Sequence, residues 1–147
     1  MDKDIELIKY RDLVLTTLDY YVENFSHNHN IRTEYLKLKV QVEEHFVQGK
    51  LSTLKKWFKE LTFDFIEDGD FHFNEYLKKT TKYEIDIFES YFKRIEKIID
   101  KGQIKTESQF HEIQNYVDHL IQNNSPDKEL IKRMNEILLS FEKLKSE

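Results

Sequence analysis

The sequence predicts an all-α fold. Residues 1–147 read as a single helical domain, an irregular bundle of five or six amphipathic helices. Three observations carry this. Apolar residues recur at helical spacing along most of the chain. Only three glycines and one proline interrupt 147 residues. Eleven Phe and eight Tyr supply a core, in a chain long enough to bury roughly 70% of its unfolded surface.

The first helix covers Asp4 to Phe25, with Leu7, Val14, Leu15, Leu18, Tyr21, Val22 and Phe25 on one face. Arg11 falls inside that face, where such a side chain lays its stem on apolar surface and pairs its head with an acid. Ser26 to Asn30 is a polar break. His27 and His29 lie within it as a weak metal pair with no acid nearby. Thr33 to Gln48 is ambiguous, because Leu36, Leu38, Val40 and Val42 alternate with polar residues as in a strand. Read as a helix, they form an apolar arc of about 200°, suited to a central helix touched on two sides. Helix is preferred, with Lys39 and Glu43 as a potential ion pair. Gly49 closes it, and Ser52 or Thr53 opens the next, whose stripe is Leu54, Trp57, Phe58, Leu61 and Phe65.

After a loop region and a short helix over Asn74 to Thr81, the cleanest amphipathic stretch runs from Tyr83 to Lys101. Gly102 terminates it, and Thr106 caps a helix marked by Phe110, Ile113, Val117, Leu120 and Ile121. Ser125-Pro126-Asp127 starts the last helix as cap, N1 proline and dipole-facing acid.

Several function classes are excluded or disfavoured. Without cysteine there is no disulfide, thiolate zinc site, iron–sulfur cluster or thiol nucleophile. Three glycines do not build a phosphate loop or a dinucleotide fingerprint. With 23 Lys+Arg against 28 Asp+Glu the formal charge is −5, which disfavours nucleic acid. No apolar run approaches the ~20 residues that span a bilayer, and the acidic start is no targeting signal, so the expected location is cytoplasmic, with no membrane partner. His-Glu-x-x-His, Glu-x-x-His pairs and a nucleophile elbow are absent, so no catalytic residue and no cofactor is assigned. The expectation is a protein that is not an enzyme.

One segment stands out. Glu60 to Glu75, ELTFDFIEDGDFHFNE, holds six acids and four phenylalanines but no Lys or Arg. It is flanked by Lys55, Lys56 and Lys59 and by Lys78, Lys79 and Lys82. The leading reading is a surface for a basic protein partner. Asp64, Glu67, Asp68, Asp70 and Glu75 would supply charge, and Phe71 and Phe73 apolar anchors. Small acidic helical inhibitors, such as immunity proteins and antitoxins, work in this way; the likeness is one of type. In a second reading, residues 64–75 resemble the twelve-residue EF-hand calcium loop. That resemblance implies a ligand set drawn from Asp64, Asp68, Asp70 and Glu75, with Gly69 at the sharp turn, while Ile66 stands where an oxygen ligand is needed. A third reading is structural: a hairpin-like loop near 61–75, with Phe63, Phe65, Phe71 and Phe73 alternating around an Asp-Gly turn, or a subunit with no activity of its own.

Overall fold

The computed structural model describes residues 2–146, and among them every regular element is an α-helix. There are seven: α1 (Lys3–Phe25), α2 (His29–Val47), α3 (Leu51–Asp68), α4 (Phe71–Thr81), α5 (Glu89–Lys101), α6 (Glu107–Gln122) and α7 (Lys128–Ser146). The all-α class therefore holds, with more helices than five or six. The seventh is the short segment expected over Asn74 to Thr81, which forms a full helix beginning at Phe71. The chain divides into two compact units, Met1–Phe65 with His72–Asp86, and Ile66–Phe71 with Ile87–Glu147.

In the first unit, side-chain oxygens set the helix starts. Asp2 accepts a hydrogen bond from the Asp4 amide, and Asn28 accepts one from the Ile31 amide at 2.9 Å. The polar break around His27 and His29 is thus a cap for α2, which begins four residues before Thr33. The ambiguous stretch is helical, but its apolar arc is not covered on two sides. Val42 is its one buried residue, and Val40 is 60% exposed. Lys39 pairs with Asp19 of α1 rather than with Glu43. Arg11 pairs with Asp12 at 3.1 Å and lies over the Phe46 ring. Gly49 has a φ of +68° and ends α2 as expected.

The core of this unit gathers Leu13, Val14, Leu18, Val42, Leu54, Phe58, Phe65, Phe73 and Leu77. Tyr20 is its aromatic hub. Its ring meets Phe65 at 5.4 Å and Phe73 at 4.9 Å, and its hydroxyl lies 3.0 Å from His72 Nδ1. Residues 82–86 lie outside any helix. Lys82 has a φ of +65°, Asn74 donates to Asp86 at 3.0 Å, and Tyr83 donates to Asp12 at 2.8 Å. These bonds outweigh the local periodicity that favoured an earlier start to α5.

The second unit packs Phe71, Phe88, Tyr91, Ile95, Ile98, Ile104, Ile113, Val117, Met134 and Ile137 together. Gly102 ends α5 where the sequence led us to expect; at φ +69° it is left-handed and donates to the Ile98 and Ile99 carbonyls. Thr106 caps α6 by accepting from the Gln109 amide at 3.1 Å. The last helix starts later than predicted. Asp127, not Ser125, is the cap, accepting from the Leu130 amide at 3.1 Å, so Pro126 precedes the cap instead of occupying N1.

Tyr91 donates to the Glu112 carbonyl at 2.6 Å, and burial, reinforced by the Glu112 and Tyr116 charges, pushes its pKa far above the usual value. Burial likewise raises Tyr76, Tyr83 and Tyr116. A phenol whose pKa is higher folded than unfolded stabilises the fold fully below its unfolded value, and that stability is lost as pH rises beyond it. Stability should therefore decline as pH climbs past 10.0, the ordinary tyrosine value. Parallel titrations of tyrosinate absorbance and far-UV circular dichroism test this. The last tyrosinate absorbance, that of Tyr91, should appear together with loss of helix. If all tyrosines ionise near pH 10 with helix intact, the burial argument fails.

Candidate functional site

α3 carries most of the acidic segment. It is one continuous helix through Asp68, after which Gly69 (φ +67°) and Asp70 turn the chain into α4. The Gly69 amide donates to the Ile66 carbonyl at 3.2 Å, and the Phe71 amide to the Gly69 carbonyl at 2.9 Å. The hairpin-like loop is therefore overturned. A left-handed glycine ends a helix as readily as it turns a strand pair, so Asp-Gly between aromatic runs fits both.

The predicted partner-binding residues separate into two groups. Asp64, Glu67, Asp68 and Glu75 are exposed, and Asp70 is half-buried. Phe71 and Phe73 are 6% and 0% exposed and are not available as anchors. The reason is helical phase. Phe71 opens α4 and packs into the second unit, its ring 4.4 Å from Phe88 and 4.2 Å from His119. Phe73 stacks on Phe65 at 4.2 Å in the first unit. His119 of α6 thus lies against the Phe71 ring.

The calcium set does not assemble. Residues 64–68 and 71–75 are helical, which points their side chains outward from two helix axes instead of curling them around an ion. Among the described residues no group of three His, Asp or Glu is placed to hold a metal ion.

What α3 does present is a mixed outer face. Phe63 is 58% exposed, a large aromatic off the helix's buried stripe of Leu54, Phe58, Thr62 and Phe65. With Lys56, Lys59 and Glu60 it lines an open recess of about 460 Å³. Asp64 and Asp68 follow one turn apart. Helical phase alone could have singled out Phe63, because it lies off the stripe that the sequence defines for this helix.

The flanking lysines only partly neutralise this face. Lys55 pairs with Glu6 at 3.3 Å and Lys78 lies 3.9 Å from Asp86, while Lys56 reaches Glu60 at 4.0 Å. Among the described residues, Asp64 and Asp68 have no ion-pair partner. The last turn of α3 contains Glu67 and Asp68 but no basic residue. Carboxylates at the negative end of a helix dipole cost about 0.3–1 kcal/mol each.

No known protein family, curated protein or solved structure matches this chain. Its class is therefore defined by its own architecture: among the described residues it is all-α, and no helix there is long and apolar enough to cross a membrane.

Proposed function

We propose that this chain is a protein-binding module that engages a basic partner through the outer face of α3, and that it inhibits or neutralises that partner. The observation that carries the proposal is the outer surface of α3, where Phe63 is exposed and Asp64 and Asp68, farther round the same helix, are carboxylates with no ion-pair partner among the described residues. Two like charges one turn apart destabilise a helix by a few tenths of a kcal/mol, about 0.2–0.5. A cationic partner would relieve that repulsion and the unfavourable dipole contact together. It would also bury the Phe63 ring, and aromatic side chains dominate interface hot spots. The formal charge of −5 adds long-range steering toward a basic surface. Phe63 takes over the anchoring role for which Phe71 and Phe73 are too deeply buried.

The test is affinity capture from a lysate of the encoding organism. Three baits are compared: the unchanged chain, Phe63→Ser, and the Asp64→Asn/Asp68→Asn double variant. A basic protein retained by the unchanged chain should be lost or much reduced with both variants. Its association with the double variant should be on the order of tenfold slower at low salt, with a weaker salt dependence. Equal recovery by all three baits would place the interface elsewhere. No protein retained by the unchanged chain would remove the support for a binding module.

A further inference from the structure

We propose that the second unit holds a separate binding site, for a compact oligophosphate-type polyanion, at the corner between α5 and α6. The site uses none of Phe63, Asp64 and Asp68. A cavity of about 510 Å³ opens there, within the size range of small-molecule sites. Arg94, Lys97 and Lys101 line it from one side of α5, at spacings of three and four residues that put them on one helix face. Lys105 joins them from the turn that precedes α6.

The charge balance is what points to an anion. Two carboxylates, Glu67 and Glu112, also line the cavity, against four cations. Arg94 is engaged with Glu112, Nη2 to Oε1 at 3.0 Å. Lys97, Lys101 and Lys105 have no ion-pair partner among the described residues. With Arg94 and Glu112 paired, three ammonium groups share the cavity with one carboxylate, Glu67, an excess of two positive charges that repel one another in a chain whose formal charge is −5. A multiply charged anion offsets that repulsion with charge-assisted hydrogen bonds.

The lining also restricts the ligand. Thr106 and Ser108 offer hydroxyls at the start of α6, whose dipole favours negative charge. The Glu107 carboxylate in that first turn is taken up by Lys145. No aromatic side chain lines the cavity, and its apolar lining residue, Ile98, is only 4% exposed. A nucleobase would find no ring to stack on, so a chain of phosphates alone fills the chemistry offered.

Calorimetric titration of the full chain with sodium tripolyphosphate tests the site. Inorganic phosphate at matched ionic strength and ATP serve as comparison arms. Tripolyphosphate should bind saturably and raise the melting temperature. ATP should bind no more tightly, because the base adds no contact. Lys97→Gln/Lys101→Gln should weaken tripolyphosphate binding at least about tenfold, as loss of charged hydrogen bonds does, and Lys105→Gln should weaken it several-fold. Lys132→Gln, on an exposed position of α7 that does not line the cavity, should bind as the unchanged chain does. All four residues are exposed, and the melting temperature of each variant without ligand checks folding. The site is refuted if the unchanged chain gives no saturable binding, if inorganic phosphate reproduces the response, or if Lys132→Gln weakens binding as much as the cavity variants.

Discussion

Phe71→Ala should destabilise the protein by about 3–5 kcal/mol, the range for emptying a buried phenylalanine site. Its ring lies among Phe88, Tyr91, Phe92, Tyr116 and His119, with centroids 4.2 to 6.1 Å away. These neighbours come from α5, α6 and the residue before α5, and alanine would leave all of them facing a void. At about 2–4 °C per kcal/mol for a chain of this size, the melting temperature should fall by roughly 10 °C. Urea titration followed by far-UV circular dichroism measures the change directly. The comparison that sharpens the result is Phe63→Ala, which should stay within about 0.5 kcal/mol of the unchanged chain, as exposed substitutions do. A reversed order, with Phe63 costly and Phe71 neutral, would exchange the core and surface assignments of the two phenylalanines.

Phe73→Ala should cost about as much, roughly 3–5 kcal/mol, for a different set of contacts. The ring is fully buried, stacked on Phe65 at 4.2 Å and edge-on to Tyr20 at 4.9 Å. Its loss would loosen the Tyr20 ring whose hydroxyl meets His72. Phe73→Leu preserves most of the volume and should cost clearly less, about 1–2 kcal/mol. Equal losses for Ala and Leu would mean that the ring–ring geometry, not the filled volume, holds the site. No loss for either would contradict the burial of Phe73.

The acidic segment shows how far the sequence could be read. Its charge was legible directly, because solvent-exposed carboxylates need no tertiary partner to stay on the surface: Asp64, Glu67, Asp68 and Glu75 are exposed as expected. Its aromatic residues were legible only on α3, where helical phase separates Phe63 from the buried Phe65. Phe63, Phe65, Phe71 and Phe73 look alike as a period-two pattern, yet one is exposed and three are buried, and Phe71 packs in a different unit from Phe65 and Phe73. The helix boundaries tell the same story. Gly102 and Thr106 fall where expected, because a left-handed glycine and a hydroxyl cap act within one turn. The α5 start does not, because Asn74 and Tyr83 hold residues near it through bonds to Asp86 and Asp12 that span 12 and 71 positions.

The cationic cavity escaped the sequence reading for a related reason. Lys97 and Lys101 share a helix face with Arg94 by spacing alone, but Lys105, Glu67 and Glu112 reach the same space only when α5, the turn, α6 and the last turn of α3 pack. The α2 stripe erred in the other direction. An apolar arc announces capacity for burial, while the number of helices available to cover it is a tertiary matter, and Leu36, Val40 and Val47 remain exposed.

By itself, then, the sequence determined the helical class, the acidic charge and the helix ends governed by Gly49, Gly102 and Thr106, all consequences of interactions within a turn or two of chain. Tertiary structure alone decided that Phe71 and Phe73 are core and that the 64–75 segment is two helices joined at Gly69. Burial is a property of what packs against a side chain, and those neighbours are set by contacts between helices that local periodicity does not encode.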